Sequence, residues 1–425
     1  MANWQLAAMA ILALLWPGTA RCQLVQPSPQ LKAAIASGNH PQIAQIALRE
    51  MLACERQYAS RPTVCTDLQL YAANSLAASG AIDAAERIAR KTVAMHSVPG
   101  GDPRQLGTAL IVLGNVLEAG QRYLEAEAVL RRTAALFNTP ATPLESAIAQ
   151  HNLAINLMRQ GRYREADPLI RDAINTLDRA RNAPATTRLR FMSTLASSLE
   201  RQQRLNEAAR VLVALTSEEQ RVLGSRHFQL GLDLYKLAQI YLSQKKFAAV
   251  LPLAMRAHLI LSESRGPGDG DTLLAVSAIA AAAAELGQVD DAIRYYRLAV
   301  AGLSRRYGTS HHSVGSARAG LAKALVLAGR TQEAEAVLQQ AMPAFAALRP
   351  DHPMRLDAEQ SLAMTLRHNA RFPEARTAFR RAAAGIALRI RSYREFDAAA
   401  RQELRERRFV FTGLVGTDWT LSRPR

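Results

Sequence analysis

The stretch Gly161-Arg162-Tyr163-Arg164-Glu165-Ala166 decides the fold, because versions of it return along most of the chain. Its last four residues, YREA at 163–166, have seven counterparts. These are IDAA at 82–85, YLEA at 123–126, LNEA at 205–208, FAAV at 247–250, VDDA at 289–292, TQEA at 331–334 and FPEA at 372–375. Successive steps end 40 to 42 residues apart. A period of this size, held eight times, predicts a stack of similar units rather than one globular core.

Small residues recur at two further places in each period. Twelve residues before the end of each step lie Ala73, Gly114, Ala154, Ala196, Ala238, Ala280, Ala322 and Ala363. Seven residues after it lie Thr92, Thr133, Ala173, Leu215, Ala257, Ala299, Ala341 and Ala382. Small side chains let two helices approach closely, and Gly161 can end the first helix in the left-handed conformation. Each period is therefore predicted to be a helical hairpin.

This pattern of small residues, turn and alanine resembles the tetratricopeptide repeat. The period of about 42 resembles its long-helix variety, as in kinesin light chains. The resemblance covers roughly residues 66–390 and implies an all-α fold, a right-handed α-solenoid of stacked helical hairpins. Residues 23–65 are predicted to form a weaker first hairpin, because Ile43 lies 42 residues before Ala85.

The last segment, 391–425, departs from the repeat and is rich in arginine. Leu404, Phe411, Leu414 and Trp419 lie at near-helical spacing, so a capping helix is predicted to cover the apolar side of the last hairpin. A basic surface tail is the alternative.

The N-terminal segment 1–22 reads as an export signal. Leu6 to Trp16 is an apolar run too short to cross a bilayer, which needs about 20 residues. Pro17 and Gly18 break the run, and Gly18-Thr19-Ala20 offers small residues for a signal peptidase. The chain is therefore predicted to be exported, either periplasmic or secreted, with an uncleaved anchor as the alternative. Lipidation of Cys22 is disfavoured because Arg21, not a small residue, precedes it.

The other two cysteines, Cys54 and Cys65, are eleven positions apart. Cys54 is expected late in the second helix of the first hairpin, and Cys65 just before the next helix. A disulfide between them would suit an oxidising compartment and contribute about 3 kcal/mol. Two buried free thiols are the alternative.

The histidines do not indicate a metal or catalytic site. His227, His311 and His352 recur with the period, with Asp269 in the matching place, so they are assigned to the loops where helices start. The sequence contains no phosphate-binding loop, no zinc-ligand spacing and no Gly-x-Ser-x-Gly elbow. We therefore expect no catalytic residue, no metal ligand and no cofactor, and a protein that is not an enzyme.

The inner face of the array is the candidate site, because the resemblance implies that the first helix of each hairpin lines a concave groove. By that frame the groove receives Asn74, Asn115, His151, Arg159, Ser197, Arg201, Tyr235, Gln239, Lys323, Gln360 and Arg367. Amide and basic groups there can bind a peptide backbone or a carboxylate. A hydrated groove with no dedicated ligand is the alternative.

The charge indicates the kind of partner. Lys and Arg number 53 against 36 Asp and Glu, a net charge of +17, which favours an acidic protein or peptide or an anionic envelope surface over nucleic acid. The alternative is that this net charge comes from ordinary solvated arginines on the surface that bind no partner. The sequence predicts a non-enzymatic interaction scaffold of the cell envelope, with its oligomeric state undetermined. A second hypothesis is a regulatory partner of a separately encoded peptidase, because residues 401–408 resemble the segment that joins such repeats to CHAT-type peptidase domains.

Overall fold

Every regular element of the chain is helical where the structure describes it. The computed structural model describes residues 25–37, 39–139, 141–180, 183–392 and 398–422, and no strand occurs in these ranges. The predicted all-α fold is confirmed. The predicted signal segment 1–22, including Cys22, lies outside the described residues. The chain divides into two compact units, one ending at Val211 and the other starting at Leu212.

Unit 1 is a stack of consecutive helical hairpins. Each helix from α3 to α8 packs on the next, and the first helices of neighbouring hairpins also touch. A short 3-10 turn, Pro62–Cys65, precedes α3, and α10 runs across the unit boundary. The helices are α1 Pro29–Ser37, α2 His40–Gln57, α3 Thr66–Ala78, α4 Ile82–His96, α5 Pro103–Ala119, α6 Tyr123–Leu136, α7 Pro143–Arg159, α8 Tyr163–Arg179, α9 Ala185–Arg201 and α10 Leu205–Val222.

Unit 2 continues the same alternation of helix and tight turn. A 3-10 turn, Met342–Phe345, follows α16, and two helices follow the last hairpin. The helices are α11 Phe228–Ser243, α12 Phe247–Arg265, α13 Gly270–Glu285, α14 Val289–Tyr307, α15 His312–Leu327, α16 Thr331–Ala341, α17 Pro353–His368, α18 Phe372–Ser392, α19 Ala398–Glu406 and α20 Arg408–Ser422.

The recurring four-residue step marks where each second helix begins. The helices α4, α6, α8, α10, α12, α14, α16 and α18 start at residues 82, 123, 163, 205, 247, 289, 331 and 372, the first residue of each step. The residue that ends each step is 0% exposed in all eight cases. At Gly114 a Cβ atom would lie 2.9 Å from Leu130, so the paired helices leave no room there for a side chain. The small residues thus set how closely the two helices of a hairpin pack.

The turn inside each of the eight hairpins from α3–α4 to α17–α18 contains one residue in the left-handed conformation, two positions before the second helix. Glycine fills this place at Gly80, Gly161, Gly287 and Gly329, with φ between 73° and 88°. The other four hairpins place a side chain there, at Gln121, Gln203, Lys245 and Ala370, with φ of 58° to 60°. The glycine turn predicted from Gly161 is therefore one version of a backbone geometry that all eight hairpins share.

Replacing Ala370 by glycine is expected to stabilise unit 2 by about 0.5–1 kcal/mol. A Cβ atom costs about 1–2 kcal/mol in the left-handed region, and the extra chain entropy of glycine offsets part of that gain. Urea unfolding measures the difference. The reverse substitution, Gly161→Ala, should destabilise unit 1, because the φ of Gly161 is +78°. An added Cβ atom would meet no other atom within 4 Å, so the cost would come from the left-handed backbone conformation alone. A loss of stability in Ala370→Gly would contradict the assigned turn.

The C-terminal helix α20 covers the last hairpin, but not with all the residues expected. Val410 is fully buried and faces α18 together with Gly413 and Thr417. The ring of Phe379 lies 2.5 Å from where a Cβ of residue 413 would be, so only glycine fits this contact. Trp419 is 63% exposed, so its predicted place on the covering side is wrong. The face defined by positions 410, 413 and 417 points away from it, since residue 419 lies about 200° around the helix from residue 417.

Leu404, Phe411 and Leu414 are partly buried against the core that α17 and α18 form, which agrees with the expected covering side. The segment is two helices, α19 and α20, rather than one. Residues 393–397 and 423–425 lie outside the described part of the chain.

Candidate functional site

A cluster of buried polar side chains lies on the first helices of unit 1. α7 packs against α5, α8 and α9 at once, so even its polar residues are enclosed. His151 and Asn152 are 1% and 6% exposed, and Asn156 is fully buried. This cluster, with Glu118 of α5 and Arg190 of α9, is called the His151 cluster below.

His151 stands at its centre as a neutral imidazole. Its ring stacks on Phe191 of α9 with 3.9 Å between centroids, and Nε2 lies 2.9 Å from the hydroxyl oxygen of Thr194. Because that hydroxyl donates to the carbonyl of Arg190, Nε2 donates the proton to Thr194. Burial, with the charge of Arg190 adding to it, keeps the pKa of His151 well below its usual value. Nδ1 accepts no hydrogen bond from the described residues and is itself buried.

Burial also shifts the pKa values of two further groups of the cluster, Arg190 and Glu118. Burial lowers the pKa of Arg190 to about 10, which leaves the guanidinium charged at neutral pH. Burial raises the pKa of Glu118 to about 7, while the amide of Asn156 and the charge of Arg159 hold it down. Glu118 is therefore only partly ionised at neutral pH, and the cluster is electropositive.

Some buried amides of this helix layer have a donor without a partner among the described residues. They are Nδ2 of Asn74 on α3 and Nδ2 of Asn152 on α7, in side chains no more than 7% exposed. In unit 2 the Nε2 of Gln360, on α17, is also a buried donor without a partner among the described residues, in a side chain that is 5% exposed. A buried donor without a partner costs about 1–3 kcal/mol.

The remaining predicted groove residues of unit 1 lie on the same helix layer with more exposure. Asn115 on α5 and Ser197 on α9 are half-buried, and the Ser197 hydroxyl donates to the Ser193 carbonyl. Arg159 and Arg201, the last residues of α7 and α9, are exposed. Asn115, Arg159, Ser197 and Arg201 thus lie on the same three helices, α5, α7 and α9, as the His151 cluster.

The predicted residues of unit 2 form no such cluster. Tyr235 and Gln239 on α11 bond to each other, with 2.7 Å between Nε2 and the phenol oxygen. Lys323 on α15 is exposed and paired with Glu285. Arg367, near the end of α17, is also exposed. These side chains lie on three helices, α11, α15 and α17. The Tyr235–Gln239 bond stays within α11, and Lys323 reaches Glu285 at the end of α13.

The repeat-phased histidines cap helices, as predicted from their place in the period. Nδ1 of His227, His311 and His352 accepts the backbone N–H two residues on, at 3.2, 3.2 and 3.3 Å. Asp269 caps α13 in the same way at 3.0 Å. An N-terminal cap satisfies one of the donors that a helix leaves unbonded. Their recurrence is explained by this structural task.

An ion-pair ladder along the turns was missed by sequence reasoning. Arg162 binds Glu165 of its own hairpin at 2.6 Å and Glu127 of the preceding hairpin at 2.7 Å. Arg122, Arg204 and Arg371 repeat this double contact, on Glu86 and Glu125, on Asp167 and Glu207, and on Glu335 and Glu374. Two residues mark these ion pairs in the sequence. An arginine lies four residues before the end of the step, and an acidic residue lies one residue before the end of the same step. Part of the positive charge is therefore already neutralised inside the array.

The part of the chain that the structure describes contains no group of three or more His, Cys, Asp or Glu side chains placed to hold a metal ion. Among the same residues, no helix combines the length and the apolar character needed to cross a membrane.

Comparison with known families agrees with this architecture. The tetratricopeptide repeat profile matches residues 146–179 in unit 1 and residues 271–347 in unit 2. These two stretches of the chain match the tetratricopeptide repeat. No curated protein sequence matches it significantly.

Solved structures with similar tetratricopeptide-like folds show only low sequence identity. The apo form of the quorum sensor NprR from B. thuringiensis is 14% identical, with a TM-score of 0.56, over 84% of this chain and 97% of that one. The apo form of RapI is 14% identical, with a TM-score of 0.50, over 73% and 87%. A tetratricopeptide repeat protein from Parabacteroides merdae ATCC 43184 is 15% identical, with a TM-score of 0.49, over 73% and 98%. At this identity the first two support the fold alone.

Proposed function

We propose that this protein is a non-catalytic binding protein that holds an acidic peptide or protein segment on the first-helix face of unit 1. The His151 cluster is the observation that carries the proposal. Tetratricopeptide folds are typical of protein–protein interaction scaffolds and generally lack catalytic activity. A peptide is suited to this face because its carboxylates can bind the exposed guanidinium groups of Arg159 and Arg201, at the ends of α7 and α9.

The preference for acidic ligands follows from the charges around the cluster. Arg190 is positively charged and lies beside a neutral His151. Arg159 and Arg201 are the last residues of α7 and α9. Glu118 opposes them only in part, because burial keeps its carboxyl half protonated near neutral pH. A ligand carboxylate would gain charge-assisted hydrogen bonds from these guanidinium groups.

Location in the cell envelope is part of the same proposal. It is supported by the export signal predicted at 1–22 and by the oxidised cysteine pair described in the Discussion. Affinity capture from intact envelope identifies the partner.

Reversing the charges at the ends of α7 and α9 is expected to weaken the binding of acidic peptides. The variant Arg159→Glu/Arg201→Glu should raise the Kd of a fluorescein-labelled Glu-rich peptide at least about tenfold, or about 1.4 kcal/mol. Fluorescence anisotropy at low and moderate ionic strength measures it.

The matched control is Arg164→Glu/Arg210→Glu, which makes the same charge change on exposed residues of the second helices of the same hairpins. Equal weakening in both variants would show attraction by net charge alone and would contradict a site on the first helices. Equal affinity of the native protein for a Lys-rich peptide would contradict the acidic preference.

A further inference from the structure

The outward face of α20 is apolar although it is exposed. Phe409, Val415 and Trp419 are 43%, 69% and 63% exposed. At 100° per residue these three positions fall within an arc of about 120° on the helix. Among the other residues in this arc, Thr412 and Gly416 are small and Arg408 is basic. The result is a ridge of large apolar side chains on the side of α20 that faces away from α18, named the α20 ridge below.

Basic residues come just before and at the start of α20. Arg401 and Arg405 of α19 and Arg408 of α20 are exposed. The only acid of α20, Asp418, lies 4.0 Å from both Arg376 and Arg380 of α18, so its charge is compensated.

Acidic residues of α19 do not reverse this balance. Glu403 is paired with Arg389 and Arg407, and only Glu406 is exposed. The apolar ridge therefore sits in a positively charged surround.

We propose that the α20 ridge lies on an anionic phospholipid surface. Tryptophan, phenylalanine and valine are suited to the boundary between headgroups and acyl chains, and arginines beside them are attracted to lipid phosphates. The ridge is one convex helix face with small residues in its gaps, so it offers no groove for a peptide, whereas a fluid lipid boundary can close around it. The site is in unit 2, on a helix outside the repeats, and is independent of the proposed peptide site in unit 1.

Trp419 makes the proposal directly testable. The chain has three tryptophans, Trp4, Trp16 and Trp419, so a full-length Trp4→Phe/Trp16→Phe protein fluoresces from position 419 alone. With vesicles of phosphatidylcholine and phosphatidylglycerol, the emission of Trp419 should shift to shorter wavelength and be quenched by brominated acyl chains. With phosphatidylcholine alone there should be no shift. The N-terminal segment could bring the chain to a vesicle, but the emission still reports the surroundings of residue 419.

Two variants, made in this single-tryptophan background, separate the apolar part from the charged part. Phe409→Ser/Val415→Ser should reduce vesicle binding about tenfold or more, as should Arg401→Gln/Arg405→Gln/Arg408→Gln, whose residual binding should also depend less on salt. The matched controls are Val326→Ser/Leu327→Ser, at similarly exposed apolar positions of α15, and Arg56→Gln/Arg87→Gln/Arg132→Gln. Circular dichroism verifies that each variant keeps its helix content.

Three results would overturn the proposal. One is unchanged emission of Trp419 in the anionic vesicles. Another is an equal response to phosphatidylcholine alone. The third is a concentration-dependent shift without vesicles, which would mean that a second copy of the chain covers the α20 ridge.

Discussion

Placing an arginine at position 166 is expected to unfold the hairpin formed by α7 and α8. Ala166 is 0% exposed and lies on α8, one of the two packed helices. A long charged side chain there must either overpack the contact or bury an unpaired charge, and each costs on the order of several kcal/mol. Because a hairpin in such a stack touches only its neighbours, amide hydrogen exchange should increase most near residue 166 and less in hairpins further along unit 1.

The comparison variant is Arg162→Ala, in the turn of the same hairpin. From the sequence alone, an arginine in this turn is expected to be solvated, and surface substitutions usually change stability by no more than about 0.5 kcal/mol. The structure shows more than a solvated side chain, because the guanidinium of Arg162 binds both Glu127 and Glu165 and its side chain is 33% exposed. Exposed ion pairs contribute about 0–1 kcal/mol each, so a loss of about 1 kcal/mol is now expected. Equal loss of protection in the two variants, or none in either, would contradict the repeat register.

The hairpin architecture could be predicted because its determinants lie close together in the sequence and recur. A small residue is required wherever two helices touch, and that requirement returns with each unit. This is why the step that ends at Ala166 locates the start of α8, and why FAAV, with no acid at all, still locates the start of α12. Eight weak signals in one register gave a strong prediction.

The left-handed turn could be predicted only where glycine marks it. Ala370 has φ of 59° because the two helices it joins fix the turn, whichever residue occupies the place. Likewise, the contact of Arg162 with Glu127 joins residues 35 apart on neighbouring hairpins. Such pairs follow from the stacking of units, which a reading of one hairpin at a time does not include.

The candidate site was predicted in part. The sequence placed His151 on the face of the first helices, but the stacking on Phe191 and the approach of Arg190 depend on how α9 packs against α7. Burial of Asn152 and Asn156 was also not foreseen, because α7 packs against helices of both neighbouring hairpins as well as against its own partner α8. The electropositive cluster is a product of packing between hairpins.

Reducing the disulfide in unit 1 is expected to lower stability by about 3 kcal/mol. The structure joins Cys54, late in α2, to Cys65 in the 3-10 turn before α3, with 5.9 Å between their Cα atoms. Both side chains are buried in the core that α1, α2 and α3 share. In the chain-entropy account a loop of eleven residues is closed in the unfolded state, and reduction releases it.

Thermal unfolding with and without reductant measures the effect, and the double variant Cys54→Ala/Cys65→Ala should match the reduced protein. Cys22→Ala is the control, since it removes a thiol without touching the pair.

The loss of stability should be local, because the bond ties α2 to the start of α3. Hydrogen exchange should therefore rise in α1, α2 and α3 before it rises in α7 or α8. Labelling of both Cys54 and Cys65 by a thiol reagent in freshly isolated, unreduced protein would contradict the bond. It would also remove a main support for the proposed export, because structural disulfides persist in oxidising compartments and are rare in the cytosol.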